Sequence, residues 1–262
     1  MRITRGLNVL FCSLEMNLKV MCREFTLCHA NNRKIHMLPP EILVETYKEA
    51  ELTDEQEDFL FRLSNEDLTT NPNYGTLLIN HPNKTSYSLP DLADKLATVE
   101  QTVMPIHVLV VDYITYMHPA PAGRWAPTRT EDYNAMIKDL KRLCLAHRNR
   151  AGQPAPIMCL TAAQISRKGL DEAMKREGLY DLQAFSTYTE IERSADIAMT
   201  VLMTPEMRKI GQLKLQVLKN RDGAVPAEPL TLNVDFEHGS SLRERDERNQ
   251  VETFNALRSL AF

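Results

Sequence analysis

A chain of 262 residues, 43% hydrophobic and 25% charged, has the composition of a globular protein and enough apolar material for one generous domain, or one domain with an inserted lobe. Its formal net charge of −4 excludes a globally basic coat for nucleic acid, but not a local basic channel. The longest apolar runs, such as Ile106 to Val111, are strand-sized, so no membrane-spanning segment is expected.

The first residues are basic and then apolar. Glu15 interrupts them and no small-residue cleavage site follows, which argues against a secretory signal. Leu7 to Ser13 reads as a buried strand and Glu15 to about Ala30 as a helix. Pro39 to Ser64 is acidic and helical, with Ile42, Leu43, Tyr47, Phe59, Leu60 and Leu63 spaced for one face. Gly75 to Asn80 is a short strand, and Ser88 with Pro90 opens the next helix, Leu89 to Glu100. Ile106 to Val111 is the clearest strand, and it runs into Asp112. A Pro/Gly/Trp loop follows, then a helix from Glu131 to Arg148 and a strand from Ile157 to Ala162. Ile197 to Met203, Leu213 to Leu218 and Leu230 to Phe236 alternate as antiparallel strands with one wet face. Residues from Ser241 onward read as a charged tail. The pattern predicts an α/β fold: a twisted, mainly parallel sheet covered by helices on both faces, with an antiparallel C-terminal extension. One domain is expected over residues 1–240, with a helical insertion at about 31–74. Cys12, Cys22, Cys28, Cys144 and Cys159 have no C-x-x-C spacing and read as reduced thiols of a cytoplasmic protein.

Four strand ends carry groups suited to chemistry. Asp112 ends an apolar strand, the edge where ligands sit in nucleotide-binding sheets, and fits a magnesium site. Glu15 follows another strand; it fits a water-activating base, and equally a helix-start acid favoured by the helix dipole. Gln164 in LTAAQISR is a neutral amide at a strand end. Lys219 and Arg221 in LKNRDG are two cations on one strand end, fit for a phosphate or for a solvated hairpin.

In this order, SLEM, VVDYITYM, QISR, the IERSADIAM stretch and KNRDG together resemble the DnaB-type replicative DNA helicases, the hexameric branch of the RecA-like superfamily. The resemblance covers roughly residues 7–236 and implies a RecA-like fold, ATP and Mg2+ as cofactors, a homo-hexamer acting on single-stranded DNA, and primase or a helicase loader as partners. It also implies roles: Glu15 as base, Asp112 at magnesium, Gln164 as sensor of the γ-phosphate, and Lys219 and Arg221 as a pair reaching a neighbouring subunit's nucleotide. Asp181, Ile191, Glu192, Ala195 and Asp196 match a further family stretch. DNA contacts are expected from the loop with Arg124, Trp125 and Arg129, and from a second loop with Arg167, Lys168, Lys175 and Arg176. Trp125 fits packing at a subunit face as well. The family's phosphate loop, G-x-x-x-x-G-K-S/T, does not occur: none of the nine glycines precedes a lysine. Its strand and helix are expected before Met1, so a truncated, split or degenerate frame is expected. A RecA- or KaiC-like ATPase with another output, and a non-catalytic ring subunit, are the rival readings.

Overall fold

The computed structural model describes residues 6–32, 35–36, 39–82, 86–118, 129–185, 189–239 and 241–244. In chain order the elements are β1 (Val9–Ser13), α1 (Leu18–Ala30), α2 (Val44–Glu49), α3 (Asp54–Arg62), a π-turn at Leu63–Asp67, α4 (Leu68–Thr70) and β2 (Leu77–Asn80). Then come α5 (Leu89–Thr102), β3 (Val108–Asp112), α6 (Arg129–Leu145), β4 (Met158–Thr161), α7 (Arg167–Lys175) and α8 (Thr189–Ser194). The chain ends in β5 (Ile197–Leu202), α9 (Pro205–Lys209), β6 (Gln212–Asn220), β7 (Leu230–Asp235) and β8 (Ser241–Glu244).

Two compact units form. The first takes Met1–Arg23, Arg62–Glu172 and Asp181–Ala195. It holds an all-parallel sheet of order β2-β1-β3-β4. Parallel strands need helical crossovers, and the helices bury one sheet face. Leu10, Cys12, Leu109 and Val111 pack there with Leu92, Leu96 and Val99 of α5 and Met136, Ile137 and Leu140 of α6. The start of α5 is fixed locally by a capping box. Ser88 accepts from the Asp91 N–H, and the Asp91 carboxylate accepts from the Ser88 N–H at 2.9 Å. At its other end the Glu100 side chain is buried: it accepts from the Ile106 N–H at 2.8 Å and meets His147 Nε2 at 3.3 Å.

The second unit takes Glu24–Phe61, Ala173–Tyr180 and Asp196–Phe262. Its sheet is antiparallel, in the order β5-β6-β7-β8. Buried Asn31, just past α1, donates to the Ile42 and His238 carbonyls at 2.9 Å each and accepts from the Ile42 N–H at 3.0 Å. One side chain thus satisfies backbone groups of two loops.

The α/β class, the parallel sheet and the antiparallel extension are as the patterns predict. Four details differ. α1 starts at Leu18, because the Asn17 side chain accepts from the Lys19 N–H at 2.8 Å and so caps the helix there; Glu15 stays outside it. The acidic 39–64 stretch breaks after α2 at Ala50, whose φ of 56° is left-handed and ends the helix. Residues 31–74 are divided between the two units rather than forming one insertion. The charged tail opens with a strand, in which Leu242 stands opposite Val234 in register. Among the described residues no helix is long and apolar enough to cross a membrane.

Candidate functional site

In the first unit the C-terminal strand ends share one edge. Ser13 stands opposite Asp112 in register, and the Leu14 N–H donates to the Asp112 carbonyl at 2.8 Å, so pairing continues one residue past β1. The chain then bends: buried Ser13 donates through Oγ to the Met16 carbonyl at 2.9 Å, and Glu15 emerges exposed at the bend. Burial chiefly, and the Glu15 charge next, push the half-buried Asp112 carboxyl above its usual value. Asp112 and Glu15 thus lie near one sheet edge, and a carboxylate such as that of Asp112 is the kind of hard oxygen donor that suits Mg2+ and its water shell.

β4 brings the amide to this edge. Thr161 Oγ1 donates to the Val111 carbonyl at 2.9 Å, and Gln164 Nε2 donates to Tyr113 Oη at 2.9 Å. The Tyr113 and Tyr116 rings meet edge-on at 4.6 Å. On the β2 side, His81 Nδ1 lies 3.2 Å from the Ser13 carbonyl oxygen. Tyr113 and His81 were not singled out from the sequence. The DY pair following the strand could have drawn attention to Tyr113, whereas a single histidine after a short strand gives no signal.

Lys219 and Arg221 lie in the second unit. Lys219 stands opposite Ala198 near the end of β6. The Arg221 N–H donates to the Asp196 carbonyl at 2.8 Å, and its guanidinium meets the Asp196 carboxylate at 2.8 Å with both groups about half exposed. Two stretches singled out separately in the sequence, ADI and KNRDG, therefore meet. A Cβ at Gly223 would lie 2.6 Å from Asn220 Nδ2, so a larger residue there would turn the Asn220 amide away from the Ala224 carbonyl to which it donates at 3.1 Å.

Of the cations expected to touch DNA, Arg124 lies outside the described residues, as does Trp125, and Arg129 opens α6. Arg167 and Lys168 are exposed in the first turn of α7, Lys175 ends it and Arg176 follows, both exposed. These four were expected in a loop. The loop is shorter because Ser166 Oγ accepts from the Gly169 N–H at 3.1 Å, capping a helix that begins at Arg167.

The model of the DnaB-like helicase C-terminal domain family matches residues 1–238. The chain belongs to this family. Solved structures with the same fold include one of a DnaB-like replicative helicase and its interactions with primase, with a TM-score of 0.66 and 19% identity over 89% of this chain and 49% of that one. Another is an ATPase domain, with a TM-score of 0.65 and 18% identity over 91% of this chain and 74% of that one. The chain thus spans about half the length of the first helicase. At these identities the likeness is one of fold. No curated protein matches the chain in sequence.

Proposed function

We propose that this DnaB-like chain is the motor portion of an ATP-dependent replicative DNA helicase, acting as a homo-hexamer on single-stranded DNA. The observation that carries the reading is the register that sets Ser13 opposite Asp112, so that Glu15 and Asp112 come to one sheet edge, with Gln164 bonded to the adjacent Tyr113. Asp112 is the group to hold Mg2+, which would polarise the transferred phosphoryl group when bound. Exposed Glu15 is free of the helix and accepts the proton of the attacking water. Gln164 reads the γ-phosphate and passes its presence to α7, three residues on. Lys219 and Arg221 serve a neighbouring subunit's nucleotide, which is why the reading requires a ring. Arg167 and Lys168 sit where the dipole of α7 repels cations, an arrangement that a DNA phosphate would relieve; Arg124, Arg129, Lys175 and Arg176 extend that contact. Cytoplasmic location and contact with primase or a loader follow from the helicase role.

The acids fit a metal ion, but these 262 residues contain no glycine-rich loop to cradle phosphates. A helicase motor needs such a cradle, so this reading requires one supplied from outside these residues. β4 is an edge of the parallel sheet, with Met158 63% and Leu160 51% exposed, and such an apolar edge suits one more strand. The missing loop also favours a second reading: a ring subunit that binds helicase protomers or DNA without hydrolysing ATP.

ATP turnover by the full-length protein separates the two. Glu15→Gln should lower kcat by about a hundredfold or more while KM changes little. An unchanged kcat in Glu15→Gln refutes the assignment of the base, and no turnover in the wild type favours the non-catalytic subunit.

A further inference from the structure

We propose that Tyr113 is a positioning residue, whose hydroxyl holds the Gln164 amide to the strand that carries Asp112, so that the amide and the acid pair respond to nucleotide as one unit. This deepens the function proposed above and rests on it. Gln164 is exposed, and residues 162–166 between β4 and α7 have no regular structure. An amide in such a setting has rotamer freedom to lose and nothing intrinsic to fix it. The fixing comes from across the sheet, in the bond from Gln164 Nε2 to Tyr113 Oη at 2.9 Å.

Tyr113 is itself held from several sides. It follows Asp112 directly, its ring packs edge-on against Tyr116, and its carbonyl accepts from the Tyr116 N–H at 3.0 Å. The Ile114 N–H donates to the Ala162 carbonyl at 3.3 Å, joining the two post-strand segments by their backbones. A side-chain amide carries two N–H donors and one acceptor. With one donor engaged by Tyr113, the other donor and Oε1 are presented in a set direction, as a γ-phosphate sensor requires. Ser166 and the first turn of α7 follow at once, so the position of the amide is conveyed to Arg167 and Lys168.

Tyr113→Phe removes the hydroxyl and keeps the ring. The first readout needs no turnover: NMR of the 15N-labelled full chain, with Mn2+ as the probe at the acid pair. In Tyr113→Phe the Gln164 side-chain N–H groups should exchange with water about fivefold faster or more. Mn2+ broadening of their resonances should change, while Mn2+ affinity stays within about twofold and the melting temperature is kept. Identical exchange and broadening in both proteins overturn the proposal. The second readout is turnover by the full-length protein. Tyr113→Phe should lower kcat about tenfold at near-constant KM, matching Gln164→Ala, and the double variant should fall no further. Additive losses overturn the proposal. A wild-type protein without turnover counts against the proposed function, and the exchange and broadening data then decide the role of Tyr113 alone.

Discussion

Removing the buried Glu100 side chain is expected to cost about as much as truncating a buried leucine of α5 such as Leu92 or Leu96. Its carboxylate is 2% exposed, accepts from the Ile106 N–H at 2.8 Å and meets the 9%-exposed His147 at 3.3 Å. In Glu100→Ala the Ile106 N–H at the entry to β3 is left buried and unpaired, worth about 1–3 kcal/mol. His147 loses its partner, and a cavity adds a further term of roughly 1 kcal/mol. The desolvation of a buried carboxylate offsets part of this, so a net loss of about 3 kcal/mol is expected. Glu100→Gln keeps an acceptor for Ile106 and should lose about half as much. Urea denaturation at neutral pH, followed by a probe in the parallel-sheet unit, measures both variants as shifts in midpoint at constant slope. His147→Ala combined with Glu100→Ala should be clearly less than additive, because both remove the same contact. A Glu100→Ala loss below about 1 kcal/mol, or strict additivity, refutes the view that this pair anchors α5 to β3.

Asp112 should trade stability for function. Its folded-state carboxyl lies above the usual 3.8, so the fold holds that proton more tightly than the unfolded chain does; the stabilising contribution is present below 3.8 and is lost as pH rises through the raised value. Asp112→Asn should therefore melt higher than wild type at neutral pH, by a margin that disappears below pH 3.8, and should lose Mn2+ binding; a lower melting point at neutral pH contradicts the sign. Charge reversal at Arg167 and Lys168 should weaken single-strand binding far more than reversal at Arg243 and Arg245, and flatten its salt dependence; equal effects would mean diffuse attraction. Arg221→Ala should leave stability within about 1 kcal/mol, since its ion pair with Asp196 is half exposed, yet abolish turnover in the assembled ring with nucleotide binding intact. Mixed rings decide this: wild-type neighbours must restore hydrolysis at a site whose own Glu15 is present.

The strands were readable because their apolar runs are short and end in polar residues, as in VLVVD, and the C-terminal edge of the sheet was readable from where those runs stop. Asp112, Glu15 and Gln164 could be placed on one edge from that rule alone. Strand order was not readable, since nothing in a run of Val and Leu says which neighbour it takes. His81 beside Ser13 and Gln164 on Tyr113 depend on that order. Glu100 was invisible for another reason: helical spacing marks Leu92, Leu96 and Val99 as buried, but a carboxylate one residue further reads as solvated until Ile106 and His147 close over it. β8 is too short for its alternation to stand out within a charged tail, and it gains its pairing only because β7 lies ready beside it.

The proposed function makes the Asp112–Glu15–Gln164 edge hydrolytic once a phosphate cradle is supplied. It is tested most directly by ATP hydrolysis with single-stranded DNA present, comparing the 262-residue chain alone with the same chain joined to a strand, glycine-rich phosphate loop and helix. Negligible turnover is expected of the chain alone, and DNA-stimulated turnover of the joined protein, which disappears in Glu15→Gln. Robust turnover by the chain alone, or a joined protein that binds ATP and hydrolyses none, contradicts this reading.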